Sequence, residues 1–417
     1  MGEDLAPGYA NSLAGEPPEI AATIMPDNDD KTSPGYLDYC RCWLDDDDAQ
    51  AILEVVRSGW ITTGPKAQEF EGAVAEYVGA RHAIAVNSGT AAMHLALAAA
   101  GIGPDDEVIT TPFTFCATAE VIEYQGARPV LADIDLETFN IDPAQIEARV
   151  TPRTRALLPV HYAGHPCEMD ALLEIARRHK LLVIEDAAHA VGSAYRGRRI
   201  GAIGDATAFS FYPTKNITTG EGGMVTTEND DLAARMRRLS LHGMSRDAWN
   251  RYTAAGSWYY EVVDLGYKYN MPDLLAALGL SQLAKLERFN EIRARHAAAY
   301  HDGLHDLPEI IAPRAQPQVR TNWHLYVIMI RPELLTLDRA AFIEALREAG
   351  IGTSVHFIPL HLHPHYQRRH GWKPGMFPNA EWAYERVISL PLYPKMTAGD
   401  VQRVIEAVRT IVARHRK

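Results

Sequence analysis

Between residues 82 and 227 the chain repeats one pattern, a short apolar run followed by a stretch with helical spacing. Seven such runs cover 82–86, 107–111, 129–134, 156–161, 181–186, 206–211 and 222–227. Helix-periodic segments such as 91–100 and 169–178 lie between most of them. Runs this short and this apolar are the mark of strands buried on both faces, in a sheet covered by helices on either side. The pattern predicts an α/β fold with a seven-stranded, mostly parallel sheet. A bend alone joins the last two runs, so that pair is expected to be antiparallel.

The flanks extend this plan. Ile52, Val55 and Val56 space a helix over about 45–58, closed by Gly59. Segment 58–66, Ser-Gly-Trp-Ile-Thr-Thr-Gly-Pro-Lys, is a loop. It is either a connector or the rim of a site, with the hydroxyls of Thr62 and Thr63 and the flat face of Trp60 on offer. Leu275, Leu278, Leu283, Leu286, Phe289 and Ile292 predict one long helix over 273–301. After it come a Pro-rich loop, a strand at 325–330, a helix capped by Asp338 and a strand at 352–357. A final helix starts near Thr397, with Asp400 completing a capping box. Together they read as a smaller C-terminal α+β domain over 301–417, beside a large domain over 36–300. Residues 1–35, rich in Pro, Gly, Asp and Glu and without periodicity, are expected to be a mobile tail.

Composition narrows the function classes. Against 41 Lys and Arg stand 53 Asp and Glu, a net charge of −12. That balance argues against broad binding to nucleic acid or anionic membranes. No run approaches the ~20 apolar residues of a membrane span. The start, Met-Gly-Glu-Asp, lacks the basic and then apolar pattern of a secretory signal. Cys40, Cys42, Cys116 and Cys167 include no Cys-x-x-Cys pair and read as reduced thiols, which points to the cytoplasm.

Chemistry-bearing residues sit at the ends of the predicted strands. Ser88-Gly89-Thr90 leads from the first strand into a helix, where free N–H groups and hydroxyls form an anion site and Gly89 permits close approach. After the second strand, Phe113 and Phe115 are core packing or a platform for a flat ring. Asp186 ends the fifth run and His189 follows it. Asp186 is either a helix N-cap or a carboxylate facing a protonated ring nitrogen. Lys215, in the bend of Ser210-Phe-Tyr-Pro-Thr-Lys-Asn-Ile-Thr-Thr-Gly-Glu-Gly-Gly, is a solvated loop lysine or a Schiff-base lysine. Taken together, a phosphate cradle, a ring platform, a carboxylate and a lysine match what pyridoxal 5′-phosphate requires. The tract His361-Leu-His-Pro-His365 has metal-like spacing but no Cys or carboxylate cluster with it, and no metal is expected.

The motifs resemble those of the DegT/StrS-type, pyridoxal-phosphate-dependent sugar aminotransferases of fold type I, and in particular the bacterial UDP-4-amino-4-deoxy-L-arabinose aminotransferases. The stretches that carry the resemblance are 58–66, Val160-His-Tyr-Ala-Gly164, 183–192, Lys215-Asn-Ile-Thr, Glu221-Gly-Gly, Gly266-Tyr-Lys-Tyr-Asn270 and Ser389-Leu-Pro-Leu. The resemblance implies a role for each position. Lys215 forms the Schiff base and carries the proton, Asp186 holds the pyridine nitrogen, and His189 lies near the ring oxygen. Ser88, Gly89, Thr90 and Ser210 bind phosphate. Phe115 stacks on the ring where relatives often carry Trp. Asn270 reaches the phosphate from a second subunit of a homodimer with shared active sites, and His356 lies at the substrate end. The implied reaction moves an amino group from L-glutamate or glutamine to a nucleotide-linked keto sugar, a 4-keto sugar in the first instance. Other readings are an aminotransferase for another cyclic ketone, such as an aminocyclitol precursor, and a regulatory protein that binds the cofactor without catalysis.

Overall fold

The computed structural model describes residues 35–245 and 259–417. The expected tail falls, Gly35 apart, outside the described residues. Leu37 to Lys417 form one compact unit. Helices α1 (Asp46–Ser58) and α2 (Pro65–Val78) lead into strand β1 (His82–Val86), α3 (Gly89–Ala99), β2 (Glu107–Thr110), α4 (Ala117–Tyr124), β3 (Arg128–Leu131), β4 (Thr154–Leu157), α5 (Met169–His179) and β5 (Leu182–Asp186). A hairpin of β6 (Ala194–Tyr195) and β7 (Arg198–Arg199) precedes β8 (Ala206–Ser210), β9 (Gly223–Thr227) and α6 (Asp230–Ser240). The C-terminal part contains α7 (Asp273–Leu304), β10 (Ile310–Ile311), β11 (Val319–Arg320), β12 (Tyr326–Ile330), α8 (Arg339–Glu348), α9 (Pro364–His370), α10 (Pro378–Tyr384), β13 (Val387–Leu390) and α11 (Ala398–His415).

The main sheet has the order β1-β9-β8-β5-β4-β2-β3. All its pairings are parallel except those of β9, which runs against both β8 and β1. The antiparallel pair expected from the bend after β8 is therefore present. Six strands point their carboxyl ends to one edge, where ligands of open α/β sheets gather. One core lies under α2 and α5 (Phe70, Leu172, Phe209, Phe211) and another under α3 (Leu95, Val108, Ile184). Helix α3 is almost entirely buried, which is why its sequence, Gly-Thr-Ala-Ala-Met-His-Leu-Ala-Leu-Ala-Ala, shows little polar face.

The smaller sheet pairs β10, β12 and β13 and packs on α8 and α11. Helix α7 ends at Leu304, and its last turns (Ala297, Tyr300, Leu304) belong to this C-terminal core. The capping box Thr397–Asp400 is present, and Asp338 caps α8 as expected. One expectation fails. Residues 352–357 form no strand, and only a single bridge joins Ser354 to Ser389. The backbone there is occupied instead by the incoming segment at Leu37, whose N–H donates to the Gly350 carbonyl and whose carbonyl accepts from Gly352. The third strand is β13, from the Ser389 motif. A second difference is α2, which begins at Pro65 inside a stretch read as loop; proline suits the first helical position because its missing N–H has no partner there.

Candidate active site

The carboxyl ends of β1, β5 and β8 converge with the start of β9. Gly223, opening β9, pairs with Val86 and with Ser210, so β1 and β8 are held one strand apart. A Cβ on Gly223 would collide with the Ser88 carbonyl, and one on Gly89 would lie 2.7 Å from Ser210 Cβ. Both glycines are thus required for the close approach of the α3 start to the end of β8. Ser88 caps α3, its Oγ accepting from Ala91 N at 3.0 Å. The first N–H groups of the helix have no intrahelical acceptor and stand at its partly positive end, close to Ser210.

Asp186 ends β5 and is buried, 4% exposed. Thr118 Oγ1, from α4, donates to its Oδ2 at 2.8 Å, and Ala188 N donates to Oδ1 at 3.1 Å. No helix follows Asp186, so the N-cap alternative falls and the side chain closes only a local turn. Burial raises its pKa, opposed by these two hydrogen bonds and by Lys215. A buried carboxylate with no cationic hydrogen-bond partner suits a cationic ligand atom.

Lys215 sits in the bend after β8, where its N–H donates to the Tyr212 carbonyl and Thr218 Oγ1 and Thr219 N both donate to the Phe211 carbonyl. Burial lowers its pKa to about 8, against the upward pull of Asp186 and Cys40. His189 Nδ1 accepts from Ala163 N at 3.3 Å, which places the ring hydrogen of the neutral form on Nε2. Burial and then the nearby Lys215 hold its pKa well below the usual histidine value.

The aromatic alternative resolves. Phe113 is fully buried against Phe139 and Tyr162, whereas Phe115 is 59% exposed with its ring 6.2 Å from Phe357. His356 enters from the C-terminal part. Its Nδ1 lies 2.8 Å from Ser389 Oγ, and Tyr162 OH donates to its carbonyl at 2.5 Å. Burial, then Lys215, lowers its pKa to about 4.

The rim differs in detail from its sequence reading. Thr63 Oγ1 donates to the Met271 carbonyl and accepts from Asn270 Nδ2, both at 2.6 Å, so this hydroxyl is engaged within the chain. Thr62 is exposed, and its carbonyl accepts from Asp273 N. Asn270 bridges to Val86, just before the Ser88 turn, and its buried Oδ1 has no partner among the described residues. The histidine tract disperses: His361 faces Glu381 at 2.8 Å, and His365 and His370 of α9 both face Glu123 of α4. Among the described residues no three potential ligands converge.

Several neighbours had no role assigned from the sequence. Thr118 lies one helical turn beyond Phe115. Asn216 and Ser389 stand in two of the stretches that carry the resemblance, Lys215-Asn-Ile-Thr and Ser389-Leu-Pro-Leu. Asn322, His324 and Phe357 come from segments whose nearest strand is apolar and unremarkable in pattern.

A family model described as the DegT/DnrJ/EryC1/StrS aminotransferase family matches residues 43–409. The chain belongs to that family. It is 54% identical over 378 residues to the spore coat polysaccharide biosynthesis protein SpsC of Bacillus subtilis, covering 90% of this chain and 97% of that one. The putative sugar aminotransferase Spr1654 of Streptococcus pneumoniae, in its PMP form, superposes with a TM-score of 0.86 at 32% identity, covering 91% of this chain and 99% of that one. PseC of Helicobacter pylori, an aminotransferase of pseudoaminic acid biosynthesis, gives 0.85 at 31% identity, with 91% and 100% covered.

The protein is a pyridoxal-phosphate-dependent aminotransferase of fold type I. Its own residues fit the cofactor: the free N–H groups at the start of α3 would suit a phosphate, the buried Asp186 a ring cation, and the lowered Lys215 amine an aldehyde. Among the described residues no helix is long and apolar enough to cross a membrane. The aminotransferase acts on small molecules.

Proposed function

We propose that this aminotransferase moves an amino group from L-glutamate, or glutamine, to the keto carbon of a nucleotide-linked sugar, a 4-keto sugar in the first instance. The observation that carries the reading is the pairing of Asp186 with a Lys215 amine of pKa about 8 at adjacent strand ends, β5 and β8. Sugar aminotransferases of comparable fold and the 54% identical spore coat polysaccharide protein support the acceptor class.

Bound pyridoxal phosphate supplies an electron-withdrawing ring that stabilises negative charge on the carbon losing its proton. The protein's residues do the rest. Asp186 keeps the ring nitrogen positive. Ser88, Gly89, Thr90 and Ser210 take the phosphate, and Phe115 covers one ring face. His189 donates through Nε2 to the ring oxygen. Lys215 Nζ removes the proton from Cα of the donor; in the second half-reaction it returns a proton to the sugar carbon that receives nitrogen. An amine of pKa about 8 holds enough of its neutral form near pH 7–8 for this work. His356 and the rim at Thr62 and Thr63 contact the acceptor. Asn270 completes the phosphate site across a homodimer, in cytoplasmic enzyme whose parts, 36–300 and 301–417, meet along α7.

The test loads the enzyme with L-glutamate, removes excess donor, and offers nucleotide keto sugars and cyclitol ketones in turn. Return of the cofactor's visible absorbance with a nucleotide 4-keto sugar supports the reading. Return with a cyclitol ketone alone would replace it. Sedimentation of a fully active monomer would remove the shared-site part.

A further inference from the structure

Asn216 is buried directly after Lys215. Its Nδ2 donates to the backbone carbonyl of Asn322 at 2.9 Å and to Asn290 Oδ1 at 2.7 Å. A backbone carbonyl only accepts, so the amide orientation is fixed and both Nδ2 hydrogens are committed. Asn216 Oδ1, 3.1 Å from His324 Nδ1, is therefore the acceptor of that contact. The hydrogen belongs to His324 Nδ1. Burial, with His189, Lys215 and Arg293 nearby, keeps this imidazole neutral. Its Nε2 then carries a lone pair.

His189 has the opposite assignment, with Nδ1 accepting from Ala163 N and the hydrogen on Nε2. The two rings lie 4.4 Å apart, tilted by 41°. Asn322 ties their backbones together: its Nδ2 donates to the carbonyls of His189 and Val191, and its Oδ1 accepts from His324 N. The segment after β5, the lysine bend and the segment before β12 are thus joined through two asparagines and two imidazoles, all buried.

We propose that Asn216 and His324 form a positioning pair for transamination. Asn216 locks His324 in the Nδ1–H tautomer, and the His324 ring holds the His189 imidazole so that its Nε2–H is kept for the cofactor. The pair acts through His189 and Lys215. The inference rests on the reading of His189 as a neighbour of the cofactor ring.

Nitrogen-15 spectra of the histidine-labelled holoenzyme read the tautomer directly, the His324 signals being those lost in His324→Asn. The expected result is a pyrrole-type Nδ1 and a pyridine-type Nε2. The reverse tautomer, or an imidazolium, overturns the pair. The variants then test its role, because asparagine places an N–H near the Nδ1 position and glutamine near Nε2. In His324→Asn the bond to Asn216 is kept and the ring contact with His189 is lost, so kcat and the pH midpoint of the cofactor's visible absorbance are expected to move, though less than when that bond is lost as well. In His324→Gln the midpoint moves by about one unit and kcat falls about 10-fold with KM unchanged, the size of one lost hydrogen bond. If both variants lose thermal stability alike and the midpoint stays put, His324 only supports the fold and the proposal fails. If His189→Asn leaves the midpoint unmoved, the cofactor role of His189 fails; a wrong tautomer instead rejects the Asn216–His324 pair itself.

Discussion

The two walls of the site are built in different ways. One wall is the edge of the main sheet, where Asp186, Lys215 and the start of α3 sit at strand ends fixed by the ladder. The other comes from the C-terminal part, where His324 and His356 lie in irregular segments next to β12 and β13 and are held by side-chain bonds to Asn216 and Ser389. In the first, backbone register places the chemistry. In the second, side chains place other side chains. Register is rigid because slipping it would turn a whole strand's apolar set out of the core. Side-chain bonds can be altered one at a time. In the proposed function, bond-breaking chemistry falls to the sheet edge and acceptor recognition to His356 of the C-terminal wall.

The largest effect expected is at Lys215. Lys215→Ala should lower kcat by about 10³-fold or more, since it removes both the amine and the general base. Borohydride reduction followed by mass spectrometry should find no cofactor on the chain. Retention of a covalently trapped cofactor in that variant would break the assignment of chemistry to the sheet edge. In the parent enzyme, capture of free cofactor should accelerate as pH rises and level off above about 8, because only the neutral amine attacks. The sign for stability follows from the same depression. The unfolded lysine binds its proton more tightly, so the cost of burying Lys215 is greatest below about pH 8 and vanishes as pH rises through the ordinary lysine value.

Asp186→Asn should come next, lowering kcat about 10²-fold, as an amide cannot hold a positive ring nitrogen by charge. A spectral shift with little change in thermal melting is expected, since the amide oxygen can still accept from Ala188 N while the Thr118 hydroxyl turns to accept from the amide nitrogen. A smaller loss, confined to one half-reaction, belongs to the other wall. His356→Asn should slow the ketone half-reaction about 10-fold and leave the glutamate half-reaction near the parent rate. Stopped-flow absorbance with each substrate separates the two. Equal losses in both halves would erase the difference between the walls.

The same contrast explains what could be read from the sequence. Lys215, Asp186, His189 and the Ser88 turn were legible because each follows an apolar run, and strand ends of a parallel sheet share one edge. Of the C-terminal wall, only His356 and the Ser389 motif were named, through the resemblance alone. The expected strand at 352–357 is reduced to the Ser354–Ser389 bridge, and the Leu37 segment pairs with the backbone at 350–352, a contact between residues more than 300 positions apart, where no periodicity reaches. His324 sits beside an apolar strand and looks like core. Its role depends on the orientation of one amide, which only Asn322's carbonyl decides. The bonds of the Thr63 hydroxyl to Asn270 and Met271 were hidden for a similar reason, since they reach across the chain.

Phe115 provides the finest test, because it belongs to the sheet edge by position yet, as the proposed ring platform, would act through a side-chain face. It is largely exposed, with Phe357 of the opposite wall 6.2 Å from its ring. Phe115→Trp enlarges the stacking surface without adding a charge, and such ring contacts are worth about 0.5–1.5 kcal/mol. Cofactor retention should therefore tighten about 3-fold, read as a lower dissociation constant in equilibrium dialysis, with kcat nearly unchanged. Tighter retention would mean that the platform has room for a larger ring and that the sheet edge sets cofactor affinity alone. If the dissociation constant is unchanged but the KM for the ketone rises, the indole has met Phe357 instead. The platform would then serve both walls, and the division between chemistry and recognition would have to be drawn through Phe115 itself.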